Sequence, residues 1–221
     1  MGNRSGKLIV FEGTDGTGKT TQSKLLSTYL EKNKIPNVSI KFPRYEESEW
    51  AKIVRRYLLG EFGKLDDVNP YLVSLAYAGD RMNAASTINK WISSGKIVVC
   101  DRYIGSNIAH MAAKFNKETE RQKYIEWLEN LEYKENGIPK EDLVILLQVP
   151  INITKQLQKA RSLDIHEGDQ KYQQEVFDVY DSVSRKRKNW VRIDSTQNEK
   201  ILSPQQVHDK IISALKERNL I

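Results

Sequence analysis

Residues 7–21 read KLIVFEGTDGTGKTT. An apolar run, Leu8, Ile9, Val10 and Phe11, is followed by Gly13 and then, at the spacing G-x-x-x-x-G-K-[ST], by Gly18, Lys19 and Thr20. Gly13, Gly16 and Gly18 permit backbone conformations closed to residues with a Cβ, so successive N–H groups can turn inward and form a nest for phosphate oxygens. Lys19 is expected to reach the β- and γ-phosphates, Thr20 to face Mg2+, and the helix starting near Lys19 to aim its positive end at the anion. The apolar run reads as a buried parallel strand, and Leu25, Leu26, Tyr29 and Leu30 recur at helical spacing behind the motif. A Gly-rich turn can match the pattern by chance, but a strand before it and a helix after it argue for a phosphate site. Gly13, Thr14, Asp15, Gly16, Thr17, Gly18, Lys19, Thr20 and Thr21 are thus the candidate ATP-binding stretch.

Outward from this stretch, further β-rich runs occur at 38–42, 97–100, 143–149 and 191–193, with helical patterns between most of them. That alternation predicts an α/β fold, a five-stranded parallel sheet with helices on both faces. Residues 69–93 form one long helical pattern, with Leu72, Leu75, Ala76, Met82, Ile88, Trp91 and Ile92 largely on one face and Gly95 as its stop. A second amphipathic helix is expected over 119–136, its Glu and Lys residues a solvated face, ending before Gly137 and Pro139. A last one begins at Ser203, with Pro204 in its first turn and Val207, Ile211, Ile212 and Leu215 as the buried stripe. Residues 159–172, KARSLDIHEGDQKY, are polar and short of apolar anchors. They suit a mobile lid, or a plain surface loop. No repeat or linker divides the chain, so residues 1–221 read as a single domain.

Composition narrows the class. A chain of 221 residues with 29% charged and 39% hydrophobic residues is an ordinary globular one, not a disordered one. Its net charge of +6 suits anionic partners without choosing among nucleotide, nucleic acid and membrane surface. The single cysteine, Cys100, excludes an internal disulfide and a cysteine metal cluster, and reads as a small core residue. MGNRSGK leads straight into the first strand with no apolar stretch of signal or membrane-span length, so a cytoplasmic location is expected.

Two further motifs address the phosphate acceptor. Phe42-Pro43-Arg44-Tyr45 follows the second strand and Asp101-Arg102-Tyr103 the third, which brings them to the C-terminal edge of the sheet, where such folds bind ligands. Two arginine forks converging there would clamp a second phosphate opposite ATP; surface salt bridging is the bland alternative. Asp101 stands where P-loop proteins keep a carboxylate that organises Mg2+, and is assigned to the metal through water, with a purely structural role as the alternative. GTDGTGKTT, FPRY with Ser48 close behind, YLLGEFG at 57–63, YAGDR at 77–81 and DRYIGSNIAH at 101–110 together resemble the thymidylate kinase family, over nearly the whole chain.

That resemblance implies a P-loop NTPase fold with a short lid near 159–172, and conversion of dTMP to dTDP with ATP and Mg2+. It implies that Asp15 contacts the sugar 3′-hydroxyl and helps order Mg2+, and that Arg44 and Arg102 hold the dTMP phosphate. Tyr77 takes the position that stacks on thymine, Arg81 donates to thymine O4, Asn107 and Ser106 line the base pocket, and Phe42 belongs to the dTMP site. His110 falls near the 2′ position, His166 near the bound nucleotide, and Glu167 matches an acidic lid position near the metal. Phe42 and Tyr77 could equally be core aromatics. Gly16 stands where some members place a basic residue, so the lid should supply that charge. Arg161 is the only arginine there, with Lys159 as the substitute and packing on adenine as another use for Arg161. The family also implies a homodimer, through helices including 69–93.

The acceptor phosphate is already anionic, so transfer needs positioning and charge neutralisation by Lys19, Asp15-ordered Mg2+, Arg102 and Arg161 rather than a general base. The alternatives are a P-loop kinase of another nucleoside monophosphate or of a deoxynucleoside, and a nucleic-acid-dependent ATPase. The paired arginine motifs and the absence of a nucleic-acid module count against the last, so no nucleic-acid or membrane partner is expected.

Overall fold

Parallel strands β1 (Lys7–Glu12), β2 (Asn37–Lys41), β3 (Ile97–Asp101), β4 (Leu143–Gln148) and β5 (Trp190–Asp194) form one sheet in the order β2-β3-β1-β4-β5. The structure is a computed structural model and describes residues 6–150, 153, 169–197 and 200–221. Around the sheet lie α1 (Lys19–Lys32), α2 (Glu49–Leu58), α3 (Pro70–Ser93), α4 (Ile104–Ala112), α5 (Glu118–Glu129), α6 (Gln170–Lys186) and α7 (Pro204–Glu217). A short antiparallel pair, β6 (Thr196–Gln197) and β7 (Lys200–Ile201), precedes α7.

Alternation along the strands divides the core in two. Leu8, Val10, Val98, Cys100, Val144 and Leu146 face the side covered by α3, α4, α5 and α6. Ile9, Phe11, Val99, Ile145 and Leu147 face the side covered by α1 and α7. Both faces are apolar because both are covered, the reason parallel strands read as continuous hydrophobic runs. Cys100 is one of these core residues. Local signals set the helix ends: Asn69 caps α3, and Ser203 and Gln206 form a capping box on α7 behind Pro204.

Three features depart from the sequence-based expectation. The helix expected over 119–136 is α over 118–129 and then widens into a π-helical turn, Asn130–Glu135, that turns Glu132 into the interior. On α3, Leu72, Leu75 and Met82 are exposed instead of joining Ile88 and Ile92 in the core, because the core-facing stripe is made of the smaller Val73, Ala76, Ala84 and Ala85. Of the expected lid, residues 159–168 lie outside the described residues, and its far end is already helical, with Asp169 capping α6 through the Tyr172 N–H. Among the described residues no helix is long and apolar enough to cross a membrane.

Ile88 is wholly buried where α3 meets the sheet. Ile88→Ala should lower the unfolding free energy by about 2–5 kcal/mol, the usual range for truncating a core isoleucine. Urea unfolding followed by circular dichroism would measure it; a loss below about 1 kcal/mol would show that this contact is not part of the cooperative core.

Candidate active site

The loop between β1 and α1 has the backbone that its glycines foretell. Gly13, Gly16 and Gly18 have φ of 143°, 81° and 90°. At Gly13 a Cβ would also lie 2.5 Å from the Leu147 carbonyl oxygen, so only glycine fits there. Thr17 closes the loop by donating to the Thr14 carbonyl, 2.9 Å away. Lys19 Nζ donates to the carbonyls of Gly13 and Thr14 at 3.0 and 2.7 Å. Burial, and secondarily the Arg102 guanidinium, pull its pKa down to about 8, although Asp15, Asp101 and Glu12 work in the other direction. Thr21, like Thr20, is exposed at the start of α1.

Thr20 Oγ1 donates to Asp101 Oδ2 at 2.6 Å, joining the loop to the end of β3. The other carboxylate oxygen, Asp101 Oδ1, is buried and has no hydrogen-bond partner among the described residues. A hydroxyl beside a buried carboxylate oxygen that lacks a donor is an oxygen pair of the kind a hard cation or its water takes up, so these residues fit Mg2+. Lys41 Nζ stands 3.6 Å from Asp101 Oδ2. Asp15, the other expected metal contact, forms an ion pair with Arg102 and lies 4.0 Å from Lys19 Nζ. Among the described residues no cluster of three or more acidic, His or Cys side chains could hold a metal without ligand oxygens.

The two arginines are each fixed by a carboxylate. Arg44 Nε donates to Asp80 Oδ1 at 3.0 Å, its backbone N–H to Asp80 Oδ2 at 2.9 Å and its Nη2 to the Asp80 carbonyl at 2.9 Å. Arg102 pairs with Asp15 and donates from Nη1 to Ser106 Oγ at 3.0 Å. Its φ of 69° is left-handed, a strained backbone for arginine, held in part by its N–H donating to the Phe11 carbonyl at 3.0 Å. Burial opposes its charge, but Asp15, Tyr180, Glu12 and Asp101 outweigh burial and keep its pKa above the usual value. Phe42 is buried, with the Arg44 guanidinium 5.7 Å from its ring centroid and Tyr103 5.8 Å away, so it bridges the segments after β2 and β3.

A second group lies deeper. Arg81, almost fully buried, forms an ion pair with Glu132 and donates from Nη2 to Asn107 Oδ1 at 2.8 Å. The Asn107 amide nitrogen donates to Ser74 Oγ and Tyr124 OH at 3.0 and 3.1 Å, so this asparagine is committed to the protein. Tyr77, half-buried on α3, packs against the same core. His110 is buried, and its carbonyl accepts from Tyr172 OH at 2.7 Å. The expected site residues thus fall into a phosphate group around the P-loop, Arg44 and Arg102, and an inner group around Arg81 and Asn107. Arg161, His166, Glu167 and Lys159 lie outside the described residues.

Four carboxylates hold these groups: Asp80, Glu12, Glu132 and Asp15. Asp80 and Glu12 carried a signal, an acid inside an apolar helix and an acid closing an apolar strand. Glu132 carried none, since it sits among other acids on a helix expected to face solvent. Asp15, expected as a ligand contact, also pairs with Arg102.

Sequence comparisons agree with this geometry. The thymidylate kinase family model matches residues 11–211. A thymidylate kinase of Mycobacterium tuberculosis (strain CDC 1551 / Oshkosh) is 33% identical over 180 residues, 78% of this chain and 83% of the relative. The chain belongs to the thymidylate kinase family. A thymidylate kinase of Plasmodium falciparum (isolate 3D7) is 30% identical over 194 residues, 88% of this chain and 84% of the relative. A solved structure of thymidylate kinase from Candida albicans shares the fold, with a TM-score of 0.79 over 97% of this chain and 93% of that one at 23% identity. As a member of the thymidylate kinase family the chain is an ATP-using kinase, consistent with its P-loop.

The lowered pKa of Lys19 gives a pH test. The charged form meets phosphate, so above pH 8 binding of ATP must take up a proton, and affinity should fall as pH rises from about 8 toward the ordinary lysine range, by up to about tenfold per unit. Titration calorimetry in buffers of different ionisation enthalpy would measure the proton uptake; an ATP affinity unchanged between about pH 7 and 9.5 would contradict it.

Proposed function

We infer that the chain phosphorylates dTMP to dTDP with ATP as donor. The observation that carries this reading is the pair of anchored arginines at the strand ends: Arg44 held by Asp80 and Arg102 held by Asp15 and Ser106, beside the P-loop Lys19. A P-loop alone serves any NTPase, whereas two guanidinium forks on neighbouring strands suit a second phosphate that must be aligned with the first.

In this reading the loop from Gly13 to Thr21 cradles the ATP phosphates. An oxygen of the dTMP phosphate attacks the γ-phosphorus in line, the bond from the γ-phosphorus to the β–γ bridging oxygen breaks, and ADP leaves with that electron pair. The attacking oxygen is already anionic, so no residue has to remove a proton. Lys19 and Arg102 meet the charge that spreads over the transferring group, and Arg44 holds the acceptor phosphate. Mg2+, when bound, neutralises the phosphate charge, and Thr20 and Asp101 are the residues that would hold it, with Asp15 nearby on the loop. Tyr77 stacks on the base and Arg81 addresses its 4-oxo group, with Asn107 setting the Arg81 fork. Phe42, Ser106 and His110 complete the acceptor side.

The chain acts as a homodimer. Support comes from an apolar surface on adjoining helices: Leu72, Leu75 and Met82 of α3 and Trp50 and Ile53 of α2 are all exposed. The Trp50 ring packs so closely on Gly79 that an added Cβ would collide with it, so the two helices form one continuous face. Exposed apolar residues grouped in this way mark interaction sites more often than scattered ones do.

A coupled assay of ADP release against a panel of monophosphates tests the function. dTMP should be turned over with the highest kcat/KM, and equal or better use of AMP, GMP or dCMP would refute the assignment. For assembly, Leu75→Glu should convert a particle of twice the chain mass of 25.5 kDa to a monomer in sedimentation equilibrium. A wild-type protein that sediments as a monomer at micromolar concentration would refute the dimer.

A further inference from the structure

Glu12 closes β1, is wholly buried, and has no place in the ligand contacts described above. Its Oε1 accepts from the backbone N–H groups of Tyr103 and Ser106, both at 2.9 Å. Its Oε2 accepts from Ser106 Oγ at 2.6 Å and from Tyr180 OH at 3.0 Å. Tyr103 is the N-cap of α4, and no side chain of its own segment caps that helix. Glu12 therefore caps α4 from another element, a favourable place for a carboxylate. The fit is tight, because a Cβ at Gly105 would lie 2.9 Å from Glu12 Oε1.

We propose that Glu12 is the positioning residue of the acceptor-phosphate site, acting on Arg102 through the direction it imposes on the Ser106 hydroxyl. A serine hydroxyl has one proton and two lone pairs, and an ionised carboxylate can only accept. With Glu12 taking that proton at 2.6 Å, the oxygen of Ser106 is left as an acceptor, and Arg102 Nη1 donates to it at 3.0 Å. Tyr180 OH lies on the same side, 3.1 Å from Ser106 Oγ, its one proton shared between that oxygen and Glu12 Oε2. Arg102 is thereby held between Asp15 on the P-loop and Ser106 on α4, on a left-handed backbone. Glu12→Gln keeps the size and the Oε1 acceptor for both backbone N–H groups. It replaces Oε2 by a donor, so the Ser106 hydroxyl loses the acceptor that fixed its direction: the amide N–H takes one of its lone pairs, and its proton is left to point at Tyr180 OH or at the guanidinium, which has no acceptor to offer. The change reverses the two hydrogen bonds that Oε2 accepts, from Ser106 Oγ and Tyr180 OH, and leaves the fold its packing.

The inference rests on dTMP being the acceptor, so turnover of dTMP by the wild-type enzyme is measured first; an inactive wild type removes that reading and this one with it. With an active wild type, binding of dTMP, thymidine and ATP is compared by calorimetry in the wild type, Glu12→Gln, Ser106→Ala and the double variant. Glu12→Gln should weaken dTMP by about tenfold or more, as expected for a lost charge-assisted contact, while thymidine and ATP stay within about twofold. The double variant should bind dTMP no more weakly than the weaker single one, because both act through one hydroxyl. Equal losses for dTMP and thymidine, a dTMP affinity within about twofold of wild type, or losses that multiply in the double variant would overturn the proposal. Should Glu12→Gln fail to fold, Ser106→Ala alone decides it by the same dTMP-to-thymidine comparison, since it leaves the helix cap intact.

Discussion

The pairing of β1 with β3, which sets Phe11 opposite Asp101, is the constraint on which the site depends. Both strands run the same way, so the P-loop leaves one and Arg102 leaves the other at the same edge of the sheet. Thr20 can then reach Asp101, the Arg102 N–H can reach the Phe11 carbonyl, and Asp15 can meet the Arg102 guanidinium. A slip of one residue would turn each strand's side chains to the opposite faces. The core forbids that slip, because Val10 and Cys100 belong to one layer and Phe11 and Val99 to the other. Hydrophobic packing within the sheet thus sets the relative position of the P-loop and the Arg102 segment.

The interior also carries an unusual load of charge. Glu12, Asp80, Arg81 and Glu132 are all nearly inaccessible. Burying a charge is costly unless it is paired and hydrogen-bonded, and such pairs add little net stability even when well made. Here each is paired or accepts from several donors, and the three carboxylates lie directly behind residues of the candidate site, Asp80 behind Arg44, Glu132 behind Arg81 and Glu12 behind Ser106. Asp80 and Arg81 are neighbours on α3 whose side chains leave the helix about 100° apart, which lets one helix hold Arg44 on one side and build the Glu132 and Asn107 network on the other. These groups fix guanidinium orientation in advance, and a fork that is already oriented loses less entropy when phosphate arrives.

What the sequence by itself determined is the local part. The strand segments, the glycine-rich loop and the ends of α3 and α7 follow from residues 7–21, from the continuous apolar runs, and from Asn69, Ser203 and Pro204, because each depends on interactions spanning a few residues. The place of Arg44 and Arg102 at the edge of the sheet was legible for the same reason, since both stand just past a buried strand. Only the tertiary structure decided what holds them. Glu12 meets Ser106 across 94 positions and Arg81 meets Glu132 across 51, distances over which no periodicity carries information. It also decided which side of α3 faces outward, because a helix apolar on more than one face does not say which stripe the core will take. That choice falls to the fit of small residues such as Ala84 and Ala85 against the sheet, a matter of packing volume that the order of residues along one helix does not contain.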